Sequence, residues 1–309
     1  LAAASQDSYS PRMNPSRFAW LAVALVAAAT GCQTSNDGAA STLGRALLLH
    51  ASFDKGLDAD FATGDPKLYT APTGNRSQAR LGLPESNLVV HAKGEGRFGD
   101  ALHFTTKMRP VVFFRGEQNL GYNTNGWSGA VSLWLRLNPD KDLQPGYCDP
   151  LQFVAQGWDE GNMFIEFSKD HTPRHFRYAI LPVKKTWNPN NRGWEEIPDR
   201  ERPMVPVYRP TFTHAGWTHV VFCFGNINSG RKDGFGRLFL DGKDQGVFEN
   251  WPIVFNWDVS KSALTLGLNY IGWMDDIAVF NRALSEAEVN SIYGLKDGLR
   301  SLSLKATKN

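Results

Sequence analysis

Short apolar runs alternate with turn-forming residues along most of the chain. Residues 46–53, 111–114, 131–137, 220–224 and 238–240 are the clearest runs, and 29 glycines and 17 prolines punctuate the rest. Runs this short, bounded by turn signals, predict strands. Near the C-terminal end the pattern becomes two-sided: Ile277 and Val279 alternate with Asp276, Ala278 and Phe280, and Asn281-Arg282 then breaks the run. A helix is predicted over 285–293. Ser285 can cap it, Glu288 can reach back to the Ser285 amide, Leu284 and Val289 can close a hydrophobic staple, and Gly294 supplies the stop.

Four further segments carry local patterns in a fixed order. They are Arg97-Phe98-Gly99-Asp100-Ala101-Leu102-His103-Phe104, the strand 129–139 around Trp134, Gly216-Trp217-Thr218-His219-Val220-Val221, and the strand and turn 236–242 ending in Asp241-Gly242. With the strand-helix ending 271–293, this series resembles the laminin-G-like, concanavalin A-like jelly-roll domains common in bacterial surface proteins, over roughly residues 45–294. The resemblance implies an all-β fold, a jelly-roll β-sandwich of two antiparallel sheets with one short C-terminal helix. It also implies one structural Ca²⁺, held by an aspartate of the last strand with groups near the end of the first. Asp54 and Asp276 occupy those places, and carboxylate oxygens suit so hard a cation.

The amino-terminal pattern is different in kind. Met13-Asn14-Pro15-Ser16-Arg17 is a short basic start, residues 18–29 are apolar, and Ala29-Thr30-Gly31-Cys32 closes the stretch. Twelve apolar residues fall short of the roughly 20 that span a bilayer, so the segment reads as a secretory leader. The small residues before Cys32 resemble a bacterial lipobox, with Ala29 where leucine is usual, and imply lipidation at Cys32. The expected organisation is an over-extended start (1–12), a lipoprotein signal peptide (13–32), a polar linker (33–44), the jelly-roll domain (45–296) and a tail (297–309). The chain is thus expected to be exported and anchored by lipid to a membrane of the cell envelope.

Charge removes one class of partner. The net charge is +2, from 33 basic and 31 acidic residues, with no basic stripe interleaved by aromatics, so nucleic acid is not expected. The glycine pattern Gly94-Glu95-Gly96-Arg97-Phe98-Gly99 lacks the crossover helix that a nucleotide needs, and reads as a turn between strands. If Cys32 carries lipid, Cys148 and Cys223 remain as one pair that an oxidising compartment permits to bridge. Cys148 reads as loop and Cys223 as part of an apolar strand.

Two constellations resemble catalysis. Pro198 interrupts the carboxylate run Glu196, Asp199, Glu201, and Pro173 separates His171 from His175, so neither has the unbroken element its chemistry needs. The ten tryptophans are more telling, because indole rings stack on the apolar faces of sugars. Trp134 and Trp217 fall in strands. Trp158, Trp187, Trp194, Trp251 and Trp257 fall in or beside loops, and the proline-bearing loop 182–210 holds Trp187 and Trp194 as the expected ligand platform, with Asn188, Asn190, Asn191 and Arg192 between them. The sequence therefore predicts a cell-envelope lectin-like binding or adhesion module for a glycan or polysaccharide. A glycoside hydrolase or lyase on the same fold, and a structural surface protein, are the alternatives.

Overall fold

The computed structural model describes residues 42–300 and 302; the leader with Cys32, residues 33–41 of the linker and most of the tail lie outside them. The described residues form two antiparallel sheets stacked as a jelly-roll-like sandwich. The first sheet contains β1 (Leu47–Ala51), β2 (Phe61–Ala62), β5 (Val89–Ala92), β6 (Ala101–Phe104), β8 (Trp127–Arg136), β13 (Thr218–Ile227), β14 (Gly234–Leu240), β15 (Lys243–Trp251) and β17 (Gly272–Phe280). The second contains β3 (Leu68–Ala71), β4 (Arg80–Leu81), β7 (Val111–Arg115), β9 (Cys148–Val154), β10 (Asn162–Phe167), β11 (Phe176–Leu181), β12 (Met204–Val207) and β16 (Ala263–Leu268). Their orders are β15-β14-β13-β8-β17-β1-β2, with β5-β6 attached to β17, and β12-β11-β10-β9-β16-β7-β3-β4.

Alternation along the strands builds the core. Val131, Leu133 and Leu135 of β8 and Val220, Phe222 and Phe224 of β13 face Leu151 and Phe153 of β9 and Ile165 and Phe167 of β10 across the sandwich. The intervening residues Ala130, Val221, Cys223, Ala278 and Phe280 point the other way and pack under the helix Glu286–Tyr293 through Leu284, Val289 and Ile292. The first sheet is covered on both faces there, which is why its strands read as nearly continuous apolar runs. The helix has the expected reciprocal cap between Ser285 and Glu288. Gly294 closes it with ordinary right-handed backbone.

Three expectations are corrected. Cys148 opens β9 and packs in the inner core, whereas Cys223 lies on the outer face of the opposite sheet under the helix. A sheet separates the thiols, both are free, and burial pushes each up to about 11. The loop 182–210 is not loop throughout: it holds a helical turn, Lys184–Trp187, two 3₁₀ turns, Trp194–Glu196 and Asp199–Glu201, and the edge strand β12. Glu196, Asp199 and Glu201 accordingly share no strand. The glycine run 94–99 does join two strands, β5 and β6, as its residues required.

Candidate functional site

The outer face of the second sheet is the part of the molecule with unused chemistry. On β10, Met163, Ile165 and Phe167 fill the core, so Asn162, Phe164 and Glu166 face outward. Gln152 of β9 pairs in register with Phe164, and Arg177 of β11 with Glu166. The register slips between Ile165 and Phe167, where β9 bulges at Pro150, and that slip sets Glu166 against the Asp149-Pro150 step. Asp149, Gln152, Asn162, Phe164 and Glu166 floor a cleft of about 380 Å³, whose wall is Trp158, Trp194, Tyr147 and Glu195.

The wall is a cluster of three indoles. Trp187 is 4% exposed, donates its Nε1–H to the Asp159 carbonyl at 3.2 Å, and packs with Phe164, Leu181, Ile197 and Met204. Trp194 stands on it, centroids 5.7 Å apart, with the Arg202 guanidinium 3.8 Å from its ring centroid. Trp158 meets Trp194 edge to face at 5.8 Å and is 53% exposed. Of the two expected platform residues, then, Trp194 lines the cleft and Trp187 is buried support beneath it. Trp158 supplies the free ring. Asn188 spends its amide on closing the turn to Arg192, with bonds of 2.8 Å in each direction, so it is a loop staple and not a ligand contact.

The floor is polar and buried. Glu166 and Arg177 form a buried ion pair at 2.5 Å, and Gln152 donates to Asp149. Burial raises the Glu166 carboxyl to about 7, against the pull of Arg177. Asp149 is raised well above the carboxylate range by burial first and by the Glu166 charge second. Asn162 is 1% exposed, and neither its amide nitrogen nor its oxygen has a hydrogen-bond partner among the described residues. Buried amides are nearly always paired, so this one marks a place where a ligand or water completes the structure. The alternation Asn162-Met163-Phe164-Ile165-Glu166-Phe167 was the sequence signal for this floor.

The other expected sites lie elsewhere. Asp54 accepts the Asp100 amide at 2.8 Å and pairs with Arg300, while Asp276 lies 2.7 Å from His50 Nε2 and accepts the Leu299 amide at 3.1 Å. The segment 298–300 thus meets both carboxylates. Among the described residues no group of three or more His, Cys, Asp or Glu is placed to hold a metal ion. Both aspartates are matched to protein donors in this arrangement. His171 and His175 stack on each other at 3.8 Å in the β10–β11 loop.

No family model and no curated protein matches the chain. Solved structures do. The receptor binding domain of botulinum neurotoxin mosaic serotype C/D is 11% identical, over 81% of this chain and 51% of that one, at a TM-score of 0.53. The binding domain of botulinum neurotoxin serotype D is 13% identical, over 82% of this chain and 52% of that one, at 0.51. The chain therefore spans about half the length of the toxin domains it matches. Domain 4 of AbnA, a GH43 extracellular arabinanase from Geobacillus stearothermophilus, in complex with arabinotriose, is 17% identical over 79% of this chain and 96% of that one, at 0.45. Likeness to the toxin domains at these identities shows the fold alone.

Proposed function

We propose that the tryptophan-walled cleft on the second sheet is a glycan-binding site. The observation that carries this reading is the unpaired, buried Asn162 amide on the floor of a cleft whose opposite wall offers the exposed Trp158 ring. A sugar presents both complements at once: hydroxyls for Asn162, Gln152 and the Asp149 carboxyl, and a C–H face for the indole. The volume, about 380 Å³, is of the size that small ligands occupy. A glycan array and affinity electrophoresis in neutral polysaccharides test it. Trp158→Ala should weaken binding by about 0.5–1.5 kcal/mol, roughly 2- to 13-fold. Asn162→Ala should weaken it by a similar factor. Unchanged affinity in both variants removes the cleft as the site.

A second reading rests on Asp149 and Glu166. Burial holds Glu166 at about 7, the state a general acid for glycoside hydrolysis needs, and Asp149 is the second carboxyl beside it in the cleft. Release of reducing ends from a bound polysaccharide, abolished by Glu166→Gln, would favour it over binding alone.

A further inference from the structure

A second concavity of about 420 Å³ opens on the same outer face, lined by Arg76, Arg115, Lys261, Phe113 and Ser77 among others, with no carboxylate in its lining. Its place relative to the cleft follows from the ladder. Thr265 of β16 pairs with Gln152 of β9 on one side and with Phe113 of β7 on the other. Gln152 belongs to the cleft and Phe113 to the second pocket, so two strand spacings, about 10 Å, separate them. Between them the Thr265 hydroxyl is buried and, among the described residues, unpaired.

The pocket's cations are incompletely neutralised. Lys261 Nζ lies 3.1 Å from Asp258 and Arg115 Nε 3.6 Å from Asp65, both acids outside the lining. Arg76 is half-buried and bonds only carbonyls, those of Gly74, Ala155 and Lys261; no ion pair joins it to a carboxylate among the described residues. Its guanidinium lies 5.9 Å from the Phe113 ring centroid, and that of Arg115 lies 4.8 Å from the centroid of Tyr69. A guanidinium withdrawn from water without an anion suits a ligand that brings one. The tryptophan cleft is the reverse, with Asp149, Glu166 and Glu195 at its surface.

We propose that this arginine- and lysine-lined pocket is a subsite for the carboxylate or sulfate of an acidic glycan, one of whose neutral faces rests on the tryptophan cleft. The proposal takes the cleft as a glycan site, and its test separates the two. Titration calorimetry of the protein with polygalacturonate and with its methyl ester isolates the carboxylate, and dextran sulfate against dextran isolates the sulfate. At least one acidic polymer should bind about tenfold more tightly than its neutral counterpart, as one charge-assisted contact implies. Which pair shows the gap assigns the anion. In Arg76→Gln/Arg115→Gln, which removes both guanidinium charges of the lining, the gap should close while neutral binding persists. Lys243→Gln, an exposed charge on the opposite sheet, should leave the gap intact, and Trp158→Ala should weaken acidic and neutral polymers by the same factor. Equal binding of both pairs, a gap that survives the double substitution, or a gap that Lys243→Gln also closes overturns the subsite. If the gap closes in the double variant but Trp158→Ala changes neither polymer, the pocket stands and the cleft falls. Absence of all binding overturns both.

Discussion

Trp158 and Trp187 carry the same side chain with ring centroids 6.3 Å apart, yet one faces solvent and the other is sealed beneath the loop. Composition and position showed that aromatics gather near this loop. Which ring is free was not legible, because it depends on a bond from Trp187 to the Asp159 carbonyl, 28 residues away, and on packing against Ile197 and Met204. The division of labour is measurable. Trp187→Ala empties a packed site and should cost about 3–5 kcal/mol in urea denaturation. Trp158→Ala should fall within about 0.5 kcal/mol of the parent while weakening glycan binding. An unchanged denaturation midpoint in Trp187→Ala would mean that the indole cluster is not a rigid wall.

Elements with strong local chemistry were the readable ones. The helix Glu286–Tyr293 formed where its cap predicted, and Arg282 reinforces it with a forked bond to Glu288. Ser285→Ala should cost about 1 kcal/mol, read as a lower midpoint in chemical denaturation. Glu288 is held at about 2 by its bond to Arg282, so its contribution is present above the usual glutamate pKa and is lost as pH falls from there to about 2. Elements containing proline were misread for a physical reason. Pro206 sits in β12, an edge strand whose outer amides need no partner, and Pro150 sits at the bulge of β9. Both positions tolerate a residue without an N–H, so proline marked the edge and the irregularity of the sheet rather than its absence. The candidate cleft takes Asp149 and Gln152 from β9, and Met204 of β12 packs with the buried Trp187, so part of it was hidden from the sequence.

For the molecule as a whole, the two-sheet sandwich was legible only through the resemblance that five motifs carry, and all five fall on strands of the first sheet. The buried carboxyls of the second sheet then impose a pH dependence on the stability of that sandwich. Asp149 and Glu166 have folded-state pKa values above their unfolded ones, so the folded protein binds more protons across that interval. Their contribution is complete below the ordinary carboxylate range and is lost as pH rises through about 7, the value at Glu166. The urea midpoint should therefore be lower at pH 8 than at pH 5. Asp149→Asn, which keeps an oxygen for Gln152 to donate to, should shrink that difference; a parent profile already flat between the two values would mean that both carboxyls stay ionised.

The position of β17 has a consequence for how such a chain comes into being. Its residues lie between β8 on one side and β1 and β6 on the other, so the middle of the first sheet is made from nearly the last residues described. A nascent chain emerging in order holds β1 and β8 as two unmatched edges, unable to meet, until residues 272–280 arrive. Closure of the first sheet thus waits on a late, non-local pairing, and its seam stays open until then.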